Sequence, residues 1–228
     1  MDIERYTATL SPRQRQIFLV LDQYADAATG LLALLSVALQ WLLGTPGPLL
    51  LAALALVFPA SLLTYGLNRL CKAVLPKPRR NRRYHDLISP WLRGSFPSFH
   101  TQFAATFAAT FCAAVTLLVP AGARLPAGGT ALLSMGLSVA VVAWSRLYLA
   151  VHDQVDVYGG LLLGVGVGGG VAGVAIGLGW VPAGPGAWIL VGLLAVGVLA
   201  VSLWERRKRR RPADGILTSD QGPVTGDR

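Results

Sequence analysis

Residues 159–179 read GGLLLGVGVGGGVAGVAIGLG, a run of 21 residues without a charged side chain. An α-helix rises 1.5 Å per residue, so about 20 apolar residues cross the roughly 30 Å hydrocarbon layer of a bilayer. Glycine recurs at every fourth position in two rows, at 160, 164 and 168 and at 169, 173 and 177. Small residues at this spacing let helices approach closely, so the run predicts a membrane helix that packs against another helix, within one chain or in a homodimer.

Apolar runs of similar length recur along the whole chain. The 228 residues are 54% hydrophobic and 14% charged, whereas about a quarter of the residues in a soluble domain are charged. We therefore predict an all-α fold, a polytopic membrane bundle of about six transmembrane helices. The predicted spans are 27–43, 48–71, 98–119, 129–151, 156–179 and 186–204.

Both ends of the chain are predicted to lie outside this bundle. Residues 1–26 contain SPRQRQIFLVLDQY (11–24), which predicts an interfacial helix with Ser11 as N-cap and Pro12 as the first helical residue. Residues 27–204 form the predicted membrane domain. Residues 205–228 are basic and then polar, which is typical of a disordered tail.

Positive side chains are concentrated on one side of the predicted bundle. Six spans place both termini, and the connections after the second and fourth spans, on the same side. Seventeen of the 20 Lys and Arg residues fall there, whereas the opposite loops hold Arg124 alone. The positive-inside rule makes the basic side cytoplasmic and indicates an integral protein of the cell (inner) membrane. The basic residues are expected to attract anionic headgroups and not nucleic acid, because the tail run adjoins a membrane span.

Three polar clusters lie at span ends on this side. They are KAVLPKPRR (72–80), SFPSFHT (95–101) and SRLYLAVHDQVD (145–156). Helix ends on one face of a bundle can converge although they are far apart in sequence, so we expect the clusters to form one site. Ionisable residues are costly in a membrane, which favours a functional role over a structural one.

The residue types in these clusters suit phosphate chemistry. Several fixed cations suit a dianion, and a helix that begins at Ser98 adds backbone N–H groups that also favour an anion. Two histidines allow one nucleophile and one acid, although the residues alone do not tell which is which. His152 and Asp156 are four residues apart, so the carboxylate can hold one ring nitrogen while the other attacks. No carboxylate cluster has metal-ligand spacing, so we expect metal-independent phosphoryl transfer through a phosphohistidine, without a cofactor.

The three clusters resemble the motifs of the type 2 phosphatidic acid phosphatase (PAP2) family of integral membrane lipid phosphatases. These motifs are K-x6-RP, PSGH and SR-x5-H-x3-D. The third motif matches completely, from Ser145 to Asp156. The second has Phe99 in place of glycine, and the first has Arg80 in place of proline.

The resemblance implies a role for each matching residue. His152 would attack phosphorus, Asp156 would orient it, and His100 would protonate the leaving oxygen. The groups that would bind the phosphate are Lys72, Arg79, Ser98, Ser145, Arg146 and the backbone amide of Phe99. The implied substrate is a lipid phosphate monoester or diphosphate of the phosphatidate, phosphatidylglycerol phosphate or polyprenyl type.

Two alternatives to hydrolysis stay open at this point. A bulky residue at position 99 resembles the inositol phosphorylceramide synthase-like branch, in which an alcohol accepts the group that water accepts in a phosphatase. The other alternative is a catalytically silent membrane scaffold or transporter, against which the intact motif residues argue. The sequence names neither the lipid nor its preference for a monophosphate or a diphosphate.

Overall fold

The chain is described by a computed structural model that covers residues 11–75, 77, 94–148 and 152–209, without the side chains of 15, 18–30 and 201–209. All regular structure in these residues is helical, which confirms the predicted all-α bundle. The six long helices are α1 (Pro12–Leu42), α2 (Gly47–Val74), α3 (Phe99–Leu118), α4 (Arg124–Tyr148), α5 (Gln154–Gly177) and α6 (Gly184–Arg209). A 3-10 turn, Ala121–Ala123, precedes α4. The chain divides into two units, Met1–Leu194 and Ala195–Arg228, and the candidate site belongs to the first.

The helices have the length and the surface of membrane spans. Among the described residues, four stretches are long and apolar enough to cross a bilayer: α2, α3, Ala121–Tyr148 and α5. Shorter apolar stretches, Leu31–Leu42 and Gly184–Ala200, lie in α1 and α6. Large apolar side chains face outward, with Leu133 and Leu162 each more than three quarters exposed, whereas small residues such as Ala53 and Ala114 fill the interior. The protein is therefore an integral membrane protein, because this distribution suits a hydrocarbon solvent.

Two predicted boundaries differ from the structure. The interfacial helix 11–24 and the first span are one continuous helix of 31 residues, about 46 Å long, because no helix-breaking residue separates them. Its start is as predicted, with Ser11 as N-cap in a capping box with Gln14. At the other end, α6 continues to Arg209, so the first part of the predicted tail is helical; Lys and Arg are good helix formers and are favoured near a helix C-terminus. Residues 1–10 and 210–228 lie outside the described residues.

The first glycine row packs α5 directly onto the backbone of α3. A Cβ atom added at Gly164 would lie 2.4 Å from the carbonyl oxygen of Gln102, and one at Gly168 would lie 2.5 Å from that of Thr106. At the second row, 169, 173 and 177, an added Cβ would meet nothing within 4 Å. The first row is therefore an internal packing surface, while a homodimer through this helix stays a prediction.

Buried hydrogen bonds fix α2 against α3. The hydroxyls of Thr64 and Thr106 lie 2.7 Å apart, and the Asn68 amide donates to Gln102 Oε1 at 2.8 Å and to the Pro97 carbonyl at 3.2 Å. In apolar surroundings such bonds have no competing water, so they set the relative position of the two helices. They hold the end of α2 beside the segment that leads into α3, where two of the three motifs lie.

We expect Gly164→Ala to destabilise the protein and Gly169→Ala to stabilise it slightly. Both substitutions gain similar helix propensity, about 1 kcal/mol, but only the methyl group at 164 must displace the α3 backbone. Overpacking of this kind costs about 1–3 kcal/mol, so the thermal midpoint of Gly164→Ala in detergent should lie several degrees below that of Gly169→Ala. Equal midpoints for the two variants would contradict the packing described here.

Candidate active site

His152 and Asp156 form the centre of the site. His152 lies two residues before α5 and Asp156 in its first turn, and both side chains are buried. His152 Nδ1 is 3.4 Å from Asp156 Oδ2, a long contact of the kind that tightens when substrate binds. A capping box with Asp153 holds Asp156 in place, since each residue's backbone N–H donates to the other's carboxylate. The predicted pairing of His152 with Asp156 is thus present, and it is made through Nδ1 of the ring.

Two residues that the sequence did not single out complete this centre. The buried hydroxyl of Ser95 donates to Asp156 Oδ2 and lies 3.4 Å from His152 Nδ1. Lys77 Nζ lies 2.6 Å from Asp153 Oδ2 and 2.8 Å from Asp156 Oδ1. The only signal for them in the sequence is proximity: Ser95 precedes the second motif by two residues, and Lys77 lies inside the first.

The ion pair of Lys77 is charged over the whole neutral range. Burial alone would lower the pKa of Lys77, but hydrogen bonds and charge attraction from Asp153 and Asp156 outweigh it and raise the pKa above the ordinary 10.5. Burial alone would raise the pKa of Asp153, but the Lys77 ammonium and the Asp156 backbone N–H outweigh it and lower the pKa below 3.8. The stabilisation by the pair is therefore lost only in acid, as Asp153 is protonated, or in strong alkali, as Lys77 loses its proton.

The second motif meets the third at the start of α3. Ser98 is the N-cap of α3, as predicted, and its backbone N–H donates to the Asp156 carbonyl at 2.9 Å. Its hydroxyl does not cap the helix but lies 3.1 Å from that of Thr101. The N–H groups in the first turn of a helix, which here include that of Phe99, have no acceptor within the helix. This arrangement suits an anion.

The other predicted phosphate ligands lie at helix ends. Lys72 is buried in the last turn of α2, and a Cβ atom at Gly94 would lie 3.1 Å from its Cβ and Cγ, so the segment leading to Ser95 packs on the lysine stem. Ser145 and Arg146 are buried in the last turn of α4, where the Ser145 hydroxyl donates to the Val142 carbonyl at 2.7 Å. Arg79 lies outside the described residues, and contact of any of these residues with phosphate stays a prediction.

Aromatic side chains surround the position where the motif has glycine. The Phe99 ring lies 6.0 Å from the His100 ring and 6.2 Å from the Tyr65 ring, edge to face in both pairs. Phe103 packs on the other side at 6.0 Å. The Phe99 side chain is therefore accommodated beside His100 by contacts with other aromatic rings. In the part of the chain that the structure describes, no group of three or more His, Cys, Asp or Glu side chains is arranged to hold a metal ion.

Contacts thus connect the beginning of α5, the start of α3 and the end of α2. Comparison with protein families gives a match to the PAP2 superfamily over residues 27–180, about two thirds of the chain. The chain belongs to the PAP2 superfamily. The matched range contains all three motifs, and the superfamily generally comprises phosphatases, so the function is of the membrane phosphatase type. Comparisons with curated proteins and with solved structures found no match.

Proposed function

We propose that this PAP2 protein hydrolyses a lipid phosphate monoester or diphosphate through a metal-independent phosphohistidine intermediate. The observation that carries the proposal is the buried contact of His152 Nδ1 with Asp156 and Ser95. A histidine held at Nδ1 by a carboxylate is oriented for attack through Nε2, and the carboxylate stabilises the positive charge that the ring acquires.

In the first step, His152 Nε2 attacks phosphorus while the bond from phosphorus to the lipid oxygen breaks. His100 donates a proton to that oxygen, so the lipid leaves as an alcohol or, from a diphosphate, as a monophosphate. The phosphoryl group is then bonded to the ring of His152, and Asp156 balances the charge of the ring.

In the second step, a water molecule attacks the phosphorus of phosphohistidine. His100, now neutral, accepts a proton from this water, and the bond between phosphorus and nitrogen breaks. Inorganic phosphate leaves, and both histidines return to their starting states. His100 thus acts as an acid in the first step and as a base in the second, because the second step repeats the first in the reverse direction with water in place of the lipid.

The bound phosphoryl group is held by the cationic and N–H groups at the helix ends. Lys72 and Arg146 are both buried cations at helix ends, and fixed cations suit a dianionic phosphate. Arg79, the hydroxyls of Ser98 and Ser145, and the Phe99 amide complete the proposed set. Donors fixed around phosphorus stabilise the charge that grows on its oxygens in the transition state.

The substrate is proposed to be a lipid because the site lies at the end of an apolar bundle. The outer surfaces of α4 and α5 carry exposed leucines, such as Leu133 and Leu162, which suit contact with hydrocarbon. A lipid whose chains stay in the bilayer brings its headgroup to the helix ends without leaving the membrane. Phosphatidate, phosphatidylglycerol phosphate and polyprenyl phosphates all meet this requirement.

Transfer to an alcohol is the second candidate, and Phe99 is the observation that favours it. The Phe99 ring lies against the ring of His100, the group that would activate the acceptor. An apolar wall there favours an acceptor with apolar surface over water. The first step and its residues are the same in both candidates, so the fate of the phosphoryl group distinguishes them.

We expect purified protein in detergent with excess EDTA to release phosphate from at least one lipid in a panel of monophosphates and diphosphates. His152→Ala should reduce release by at least a thousandfold, because no nucleophile remains. Asp156→Asn should reduce it less, because the imidazole is kept and only its orientation and charge balance are weakened. Phosphate release should be measured together with the thermal midpoint of each variant.

The outcomes of this assay separate the candidates. Full activity in folded His152→Ala protein would contradict the histidine mechanism. Phosphorylated alcohol without phosphate release, when alcohols are added, would establish transfer. Absence of both products with every lipid would favour a silent scaffold.

The site is proposed to face the cytoplasm, as the positive side chains predict. In a variant with Cys71 and Cys112 replaced, Arg83→Cys should react with a membrane-impermeant maleimide only after the cytoplasmic side is opened. Gly122→Cys, in the turn between α3 and α4, is the control and should react from outside in intact cells. The reverse pattern would invert the proposed topology.

A further inference from the structure

We infer that Lys77 is a positioning residue that, together with Asp153, holds the Asp156 carboxylate and sets the charge that the His152 ring experiences. The inference rests on the proposed function only in taking His152 as the nucleophile. Lys77 matches neither of the two basic positions of the first motif, which are Lys72 and Arg79.

The two carboxylate oxygens of Asp156 contact different partners. Oδ1 accepts the Lys77 ammonium at 2.8 Å, while Oδ2 accepts the Ser95 hydroxyl and lies 3.4 Å from His152 Nδ1. A carboxylate held at both oxygens cannot rotate without losing a contact. Because Asp156 is almost completely buried, each lost contact would leave a buried charge less well paired.

Lys77 is also fixed at its other side. Its ammonium bonds Asp153 Oδ2 at 2.6 Å, and Asp153 in turn accepts the Asp156 backbone N–H through Oδ1 at 3.0 Å. The lysine thus bridges the N-cap residue and the first turn of α5. Asp153, the N-cap residue, lies 76 residues after Lys77 in the sequence. Two of the three N–H donors of the ammonium are engaged by these carboxylates, so we assign Lys77 to positioning Asp156 and not to binding phosphate.

The charge of Lys77 and the charges of its two carboxylate partners affect protonation of the His152 ring in opposite directions. The Asp156 carboxylate alone favours the protonated ring, which cannot attack phosphorus. The Lys77 ammonium offsets part of that effect and favours the neutral ring, which can. Asp153 in turn offsets part of the Lys77 charge. Removal of Lys77 should therefore make His152 easier to protonate, and removal of the Asp153 charge should make it harder.

Other titratable or charged groups lie at the same end of the bundle as His152. They are Lys72 at the end of α2, His100 at the start of α3 and Arg146 at the end of α4. All of them are kept in every variant compared below, so their contribution cancels. Differences between variants then report the Lys77 bridge alone.

The test is a pH titration of the His152 ring by NMR in the full-length protein labelled at histidine. The chain has only three histidines, so the His152 signal is assigned from its loss in His152→Ala. We expect Lys77→Met to move the midpoint of ring protonation upward by roughly one pH unit, as loss of a nearby charge does. Lys77→Arg should stay near the unchanged protein, and Asp153→Asn should move the midpoint downward.

A merely structural role for Lys77 would not give shifts of opposite sign. An unchanged midpoint in folded Lys77→Met, or a shift in the same direction in Lys77→Met and Asp153→Asn, would overturn the inference. If Lys77→Met does not fold, Lys77→Gln, which also removes the charge but keeps a polar side chain, takes its place in the titration. The titration needs no turnover, so it stays decisive even if no substrate is hydrolysed and the proposed function fails.

Kinetics give a second readout when a lipid substrate is available. Lys77→Met should lower kcat about tenfold near neutral pH with little change in KM, and the acid limb of its pH profile should move upward with the NMR midpoint. Lys77→Arg should restore most of the rate. A rise in KM with unchanged kcat and an unchanged profile would instead make Lys77 a phosphate ligand and overturn the positioning role.

Discussion

The close approach of α5 to α3 is the constraint on which the site depends. A Cβ atom at Gly160 would lie 2.8 Å from the Ser98 carbonyl, so no larger residue fits at this crossing without a shift. At the same level the Ser98 backbone N–H donates to the Asp156 carbonyl. At this point α3, which carries the proposed acid His100, meets α5, whose first turn positions the proposed nucleophile His152. Without a hydrophobic driving force between helices in lipid, this packing relies on contact and hydrogen bonds.

The site is a polar junction at the end of an apolar bundle, and this setting explains its chemistry. Charges that are shielded from water interact strongly, so Asp156 requires several partners and has them in Lys77, Ser95 and His152. The same setting makes fixed cations and helix N–H groups effective for a phosphoryl group. Rigid donors need little reorganisation during reaction, so one arrangement would serve both formation and breakdown of the proposed phosphohistidine.

The sequence predicted the helical bundle, the Ser11 cap and the Ser98 helix start because each depends on local composition or spacing. It also predicted the pairing of His152 with Asp156, which lie four residues apart. It missed the contacts of Ser95 and Lys77 with Asp156, because these span 61 and 79 residues and depend on how chain segments meet. The helices continue through residue 24 and beyond residue 204, because helix propensity carries each helix beyond its apolar stretch.

Direct detection of the intermediate tests the central claim most sharply. Protein quenched in alkali during turnover of a lipid phosphate should carry one phosphoryl group, stable in base and labile in acid, as expected for phosphohistidine. Peptide mass spectrometry should place this group on His152, and Asp156→Asn should carry less of it. Phosphate on another residue, or turnover without any phosphorylated protein, would contradict the account.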